Sequence, residues 1–375
     1  MLESRKEQTV KLLSEHLRTY PGLQLRDLFK FLHQSSFGCE HLLADASAAT
    51  EYIRKEVAEC RAHQGEWVEP LDGDFCRVHL DLIKNGLNAE TLGKLFFLSA
   101  KPVENGRELL EEKLSVLTEL IREEKMPFSL EAVKKEIEKW REAGFPAYHH
   151  SEDFREHYAP AYRVIKKEYA RFLPLFLEID KRLKETKRDS VNRNGASGGS
   201  LTLAIEGGSA SGKTTLSGLL EQVYGATVFH MDDFFLRPEQ RTKERFAEPG
   251  GNVDRERFLE EVLEPLKAGD TVQYRGFDCS SFTLQEPVER RPGDFCVIEG
   301  AYSMHPELAG YYDFSVFLDV TPEVQKKRIH KRNSPEFATR FFEEWIPMEH
   351  RYFEAMDVKE RCDLVIEIND FVENG

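Results

Sequence analysis

Residues 201–215 read Leu201-Thr202-Leu203-Ala204-Ile205-Glu206-Gly207-Gly208-Ser209-Ala210-Ser211-Gly212-Lys213-Thr214-Thr215. A short apolar run feeds a glycine-rich turn, and the turn feeds a segment of helix formers reaching about Tyr224. The spacing from Gly207 to Thr214 fits G-x-x-x-x-G-K-[ST], the Walker A pattern of a phosphate-binding loop. The glycines let successive backbone N–H groups curl around phosphate oxygens at a helix N-terminus, where the helix dipole favours negative charge. Lys213 then reaches the β- and γ-phosphates, and the Thr214 hydroxyl ligates Mg²⁺. Gly207, Gly208, Ser209, Ala210, Ser211, Gly212, Lys213, Thr214 and Thr215 are therefore expected to hold ATP with Mg²⁺. A glycine-rich turn that binds nothing would leave Lys-Thr-Thr without a reason.

Downstream, apolar runs alternate with amphipathic helical stretches: 201–205, 226–230, 295–299, 315–320 and 362–368. That alternation predicts an α/β domain, a parallel sheet flanked by helices. The run 226–230 comes one helix after the loop and is expected beside the first strand. It ends in His230-Met231-Asp232-Asp233, which puts Asp232 where it can take a hydroxyl proton and help hold Mg²⁺. Val297-Ile298-Glu299 is a Walker B-like end, four apolar residues and then an acid, with Glu299 near the metal or its waters. Thr321-Pro322-Glu323 starts a helix with a cap and an N-terminal proline. On it Arg328 and Arg332 stand at i and i+4 and share a face. Beside a phosphate site, such a face stabilises a phosphoryl group in transfer; elsewhere it is a solvated cationic helix.

The order GGSASGKTT, MDDFF, NVDRERF, VQYRGFDCSS, FCVIEGAY, FSVFLDV and RIHKR resembles the uridine kinase and phosphoribulokinase-like family of P-loop kinases, over about residues 200–370. The resemblance implies transfer of the γ-phosphoryl group of ATP to a hydroxyl of a nucleoside or nucleoside-like acceptor. It implies that Asp232 is the general base and that Phe234 and Phe235 pack near the acceptor. Asp254 is implied to bind sugar hydroxyls, Tyr274, Phe277 and Asp278 to border the base pocket, and Glu299 to match the family's acid-glycine strand end. It also implies that Arg328 and Arg332 belong to a lid, with Arg340 and Arg351 as further members. Cys279-Ser280-Ser281-Phe282 follows where uridine kinases carry a pyrimidine-reading histidine, so the acceptor stays open. Nicotinamide riboside, pantothenate or a sugar acid are alternatives within the class. A nucleotide-dependent switch whose helical part binds a partner is the alternative outside it, and a bifunctional enzyme is a third.

The chain has 375 residues, 52 Lys+Arg against 67 Asp+Glu, and a formal net charge of −15. Such an average repels nucleic acid and anionic membrane, and no apolar run approaches the ~20 residues of a membrane helix. Six scattered cysteines without a CxxC pair, and the polar start MLESRKEQTVK, predict reduced thiols in a cytoplasmic protein without a signal peptide. The partner expected is a small-molecule acceptor, with homo-oligomerisation left open.

Before residue 200 the pattern is helical. Val10, Leu12, Leu13 and Leu17 share one face; so do Leu25, Leu28, Phe29 and Leu32; Leu109 to Ile121 continues the spacing. Ser129 caps a helix running to about Ala143, and Tyr162 to Leu183 reads as another. Residues 1–185 are thus expected to be mostly α-helical, with 186–200, rich in Gly and Ser, as a flexible linker and 201–375 as the kinase domain. Two loops concentrate His, aromatic and charged residues: His33 to His41, and Tyr148 to Tyr158. The second is a candidate for ligand binding or for a structural aromatic cluster. Cys39, His41, Cys76 and His79 could form a zinc site, although Cys76 and His79 read as part of an amphipathic helix and as ordinary packing.

Overall fold

A computed structural model describes residues 5–39, 45–61, 65–192 and 199–368. The chain divides into two compact units, up to Asp180 and from Lys181. The division falls within the helix Leu173–Asn192, so residues 186–192 are helical rather than linker. Glu185, Lys187 and Arg188 are helix formers, and they carry the helix to the glycine-rich stretch. Residues 193–198, the rest of the expected linker up to Gly199, lie outside the described residues.

The first unit is mostly helical. Arg5–Thr19, Leu25–Phe37, Ala46–Glu59, Ala89–Ser99, Gly106–Arg122 and Leu130–Glu142 are its longer helices. The last begins as its sequence says: Ser129 Oγ accepts from Ala132 N at 3.4 Å. Two expectations fail. Cys76 and His79 lie in a strand, and Tyr162 opens a strand rather than a helix. Three strands, β1 (Val68–Pro70), β2 (Phe75–His79) and β3 (Tyr162–Lys166), form an antiparallel sheet in that order. Every residue of β2 is buried, Arg77 and His79 included, so the polar residues that suggested an exposed helix face are interior. The helix expected from Tyr162 begins at Leu173, after the short β-branched pair Val164-Ile165 has been spent in β3.

The second unit is built on a five-stranded parallel sheet. Its strands are β4 (Leu201–Gly207), β5 (Thr227–His230), β6 (Phe295–Glu299), β7 (Phe314–Val320) and β8 (Leu364–Ile368), in the order β8-β7-β4-β6-β5. All five expected strands form. The expected neighbour of β4 is corrected: β6 lies between β4 and β5. Burial explains it. β4 and β6 are buried at every residue and have a partner on each side, as an uninterrupted apolar run requires. β5 is only half covered and takes the sheet edge. A cluster containing Phe229, Phe234, Phe258, Ile298, Phe317 and Tyr352 forms the core on one side.

Candidate active site

β4 ends in Gly207 and the helix Lys213–Tyr224 follows, so residues 208–212 form the loop between strand and helix. Gly207 has φ +143°, and a Cβ there would stand 2.7 Å from Leu318 O of the neighbouring strand. Gly212 has φ +103° and Ala210, without glycine's freedom, has φ +61°. Lys213 Nζ donates to Gly207 O at 2.9 Å and Gly208 O at 3.0 Å, across the loop it follows.

Register brings the acids to the loop. Glu299 pairs with Ile205 on one side and with His230 on the other. Its Oε1 accepts from Thr214 Oγ1 at 3.1 Å and lies 2.6 Å from His230 Nδ1. That carboxylate raises the His230 pKa above the usual histidine value. Asp232 sits in the turn Met231–Phe234 that closes β5, within electrostatic reach of Lys213 and Glu299. The residue is exposed to solvent. Protein packed around its carboxyl nevertheless holds it above the ordinary aspartate value, with Lys213 opposing and Glu299 adding to it. Direct solvent contact limits that rise.

Several loop contacts come from residues the sequence did not single out. Glu349, buried, accepts from Ser209 N at 2.9 Å and Ser209 Oγ at 2.6 Å. Gln325, at the front of the helix Pro322–Arg332, donates to Ser209 O at 2.8 Å. Glu206, fully buried, accepts from Gly207 N, Tyr302 N, Met304 N and Tyr352 Oη at 3.0, 3.2, 2.9 and 3.1 Å. Burial pushes it up to about 7, against the backbone donors. Glu206 had a signal, being the one acid in an otherwise apolar strand; Gln325 and Glu349 had none, because their partner is a backbone more than 100 residues away.

The arginines of the proposed lid separate. Arg328 Nη1 donates to Ala210 O at 3.1 Å, against the loop. Arg332, one turn on, lies exposed over the Phe341 ring at 5.5 Å. Arg340 pairs with Glu344 of its own helical stretch, and Arg351 donates to Phe246 O, so neither reaches the loop in this arrangement.

The acceptor side is more closed than expected. Phe234 is fully buried against Phe258 and Tyr274, a core position; Phe235 is half-buried and bridges Val253. Asp254 is 1% exposed and caps the helix Arg255–Phe258, accepting from Arg257 N, with Arg237 Nε and Arg257 Nε each 3.4 Å from Oδ2. It lines a cavity of about 480 Å³ with Arg237, Arg245 and Arg257. Tyr274 Oη donates to Asp233 Oδ2 at 3.2 Å. Asp278 accepts from Ser280 N, Ser280 Oγ and Ser281 Oγ, which hold its carboxyl down at about 2. Its side chain thus braces the turn after Phe277.

Strand, glycine-rich loop, helix and flanking acid together decide the architecture. The second unit has an α/β P-loop fold. No family model matches the chain, and no curated protein does. Among solved structures, a possible uridine kinase from Bacillus stearothermophilus is 24% identical, covering 50% of this chain and 99% of its own, with a TM-score of 0.36. A candidate fructose transport system kinase from Silicibacter is 23% identical, covering 49% and 98%, with a TM-score of 0.38. A shikimate kinase from Bacteroides thetaiotaomicron is 16% identical, covering 46% and 90%, with a TM-score of 0.26. At these values the likeness says nothing of substrate.

Among the described residues, no three His, Cys, Asp or Glu side chains are grouped to hold a metal by themselves. Cys39 and Cys76 are buried and donate to Phe96 O and Ile165 O, contacts that ordinary packing supplies. His41 lies outside the described residues.

Proposed function

We propose that the second unit is an ATP-dependent phosphotransferase acting on a hydroxyl of a small molecule, with a nucleoside or nucleoside-like acceptor. The observation that carries the reading is the position of Asp232, at the strand end beside both Lys213 and Glu299. A switch needs metal and water held there; a kinase needs a base for the acceptor hydroxyl, and a solvent-facing carboxylate at that strand end can take its proton.

Phosphoryl transfer asks for positioning and charge neutralisation more than for covalent chemistry. The N–H groups of Ala210, Gly212, Lys213 and Thr214 would cradle the phosphates, Ser209 N being held by Glu349, and Lys213 would neutralise the β- and γ-oxygens. Asp232 would accept the proton of the attacking hydroxyl. Arg328, already against the loop, would meet charge on the transferring group; Arg332 would need to swing inward to join it. Thr214 Oγ1 and Glu299 Oε1 form a hard-oxygen donor set of the kind Mg²⁺ takes when it keeps water and phosphate oxygens in its shell. When bound, Mg²⁺ would screen the phosphate charge. Asp254 and the arginine-lined cavity beside it would receive the acceptor, whose identity the Cys279–Phe282 departure leaves open.

The test is ADP release by the full-length protein with Mg²⁺-ATP and a panel of nucleosides, nicotinamide riboside, pantothenate, sugars and sugar acids. Stimulation by one acceptor, reduced at least 100-fold in Asp232→Asn while ATP affinity is retained, is expected. Full turnover in that variant removes the base assignment. ATP binding with a silent panel favours the switch.

A further inference from the structure

The first unit contains a cavity of about 710 Å³ that phosphotransfer in the second unit does not use. Its size is that of a small-ligand site. Aromatic side chains, Tyr52, Phe96 and Tyr148, line part of it, and Lys30, Gln34, His150, Arg155, Tyr162 and Arg163 supply the polar part. Of the Tyr148–Tyr158 stretch that stood out in the sequence, Tyr148, His149, His150 and Arg155 are therefore wall, and Glu152–Tyr158 is a helix rather than a loop.

The wall is built from inside the fold. Arg77 is fully buried, and its guanidinium donates to both oxygens of Glu69 at 3.1 and 3.2 Å. Its other nitrogens donate to Gln34 Oε1 at 3.0 and 2.8 Å. Those two bonds fix the amide, since turning it over would set Nε2 against the guanidinium. Gln34 is nine-tenths buried and lines the cavity, yet its Nε2 donates to nothing among the described residues. Behind Tyr162, whose Oη is 2.7 Å from His150 Nε2, His150 Nδ1 meets fully buried Asp27 at 3.1 Å. Asp27 itself accepts from Ser151 N–H, Ser151 Oγ and Gln24 N–H. A buried ionic network of this kind is a weak source of stability. Its effect here is to present the Gln34 amide donor at a fixed position, with Tyr162 Oη engaged between Gln34 Oε1 at 3.3 Å and His150 Nε2.

Glu56 is the one carboxylate among the described lining residues, against Lys30, Arg155 and Arg163, in a protein whose net charge is −15. Arg163 is paired with Glu56 at 2.8 and 3.0 Å. Lys30 and Arg155 have no ion-pair partner among the described residues; they donate to the carbonyls Tyr148 O and His150 O. Burial, with Arg77 and Arg155 close by, lowers the Lys30 pKa to about 8.

We propose that this cavity is a second ligand site, which binds the phosphomonoester group of a small organic molecule through Lys30, Arg155 and Gln34 Nε2, with the aromatic wall against the rest of the ligand. A carboxylate is satisfied by one planar guanidinium fork; an ammonium and an amide one turn apart on the helix Leu25–Phe37, facing a guanidinium from the helix Glu152–Tyr158, suit a dianion with three outward oxygens. The site does not depend on phosphotransfer in the second unit.

Calorimetric titration tests it in full-length protein carrying Lys213→Ala, which weakens anion binding at the phosphate loop. The probes are inorganic phosphate, ribose 5-phosphate, glycerol 3-phosphate, uridine monophosphate, ribose and malate. At least one organic phosphate is expected to bind, with ribose silent and malate at least tenfold weaker. Gln34→Glu keeps the acceptor for Arg77 but replaces the free donor with a negative oxygen; it should weaken binding at least tenfold. Arg155→Met, at an exposed position, should do the same, and Lys134→Met, on another helix, should change nothing. Silence from every phosphate probe overturns the site. So does malate binding as well as the phosphates, or affinity unchanged in both Gln34→Glu and Arg155→Met with the fold intact by circular dichroism.

Discussion

At the scale of single residues, the phosphate loop tolerates little. Alanine at Gly207 would need a left-handed backbone and would press its methyl group on Leu318 O. Gly207→Ala is expected to cost more than about 1 kcal/mol of stability and to weaken ATP binding, read by urea unfolding and by nucleotide titration. In the first unit Arg77 plays the comparable part. Arg77→Met removes the guanidinium from Glu69, leaving it Tyr20 Oη at 3.2 Å and His16 Nδ1 at 3.3 Å, and leaves the Gln34 carbonyl oxygen only Tyr162 Oη at 3.3 Å, so a loss of about 3–5 kcal/mol is expected in the stability of that unit, read by urea unfolding. A loss under about 1 kcal/mol would mean that solvent reaches Glu69 freely. Neither Arg77 nor Glu349 was legible in the sequence. A buried charge looks like a surface charge until its partner is known, and both partners lie elsewhere in the chain.

Among the elements, legibility followed the burial of each strand. The loop, its helix and the strands of the parallel sheet were readable because strands covered on both faces are mostly apolar, with their acids at or near the strand ends. Strand order was not, because β5 and β6 present similar apolar runs and only the half coverage of β5 marks the edge. β2 was misread for the converse reason: its interior holds Arg77 and His79. The short helix Arg255–Phe258 offers a test at this scale. Its cap, Asp254, also sits between two arginines. Asp254→Ala should cost about 1 kcal/mol for the lost cap, and more through the arginines left without that carboxylate. If Asp254 also serves the acceptor, Asp254→Asn, which keeps a cap, should raise the KM for acceptor while leaving the KM for ATP unchanged.

For the whole molecule, the two units carry opposite kinds of buried titration. In the first, burial lowers His150 to about 3 and holds His16 below the usual histidine value, while donors hold Asp27 down against burial. A histidine lowered in the fold gives stability that is complete above pH 6.5 and lost as pH falls towards its folded value; a lowered aspartate acts in the same direction. In the second unit burial raises Glu206 to about 7, so its contribution is lost as pH rises from 4.5 to 7, while His305, lowered to about 4, partly offsets it. Scanning calorimetry between pH 7 and 4.5 should therefore show the first unit's transition falling more steeply than the second's. Parallel shifts would contradict this assignment.

The bonds that set the phosphate loop also impose an order in time. Ser209 is held by Glu349 and Glu206 by Tyr352, partners separated by 140 and 146 residues. A ribosome makes the chain from its N-terminus, and domains generally fold as units as they emerge. The first unit can close as soon as residue 180 is free of the exit tunnel. The nucleotide loop is synthesised soon afterwards but stays without these braces until the helix Ile346–Ala355 has been translated. A nascent chain stalled before residue 346 would already have its first-unit cavity and not yet a competent grip on ATP.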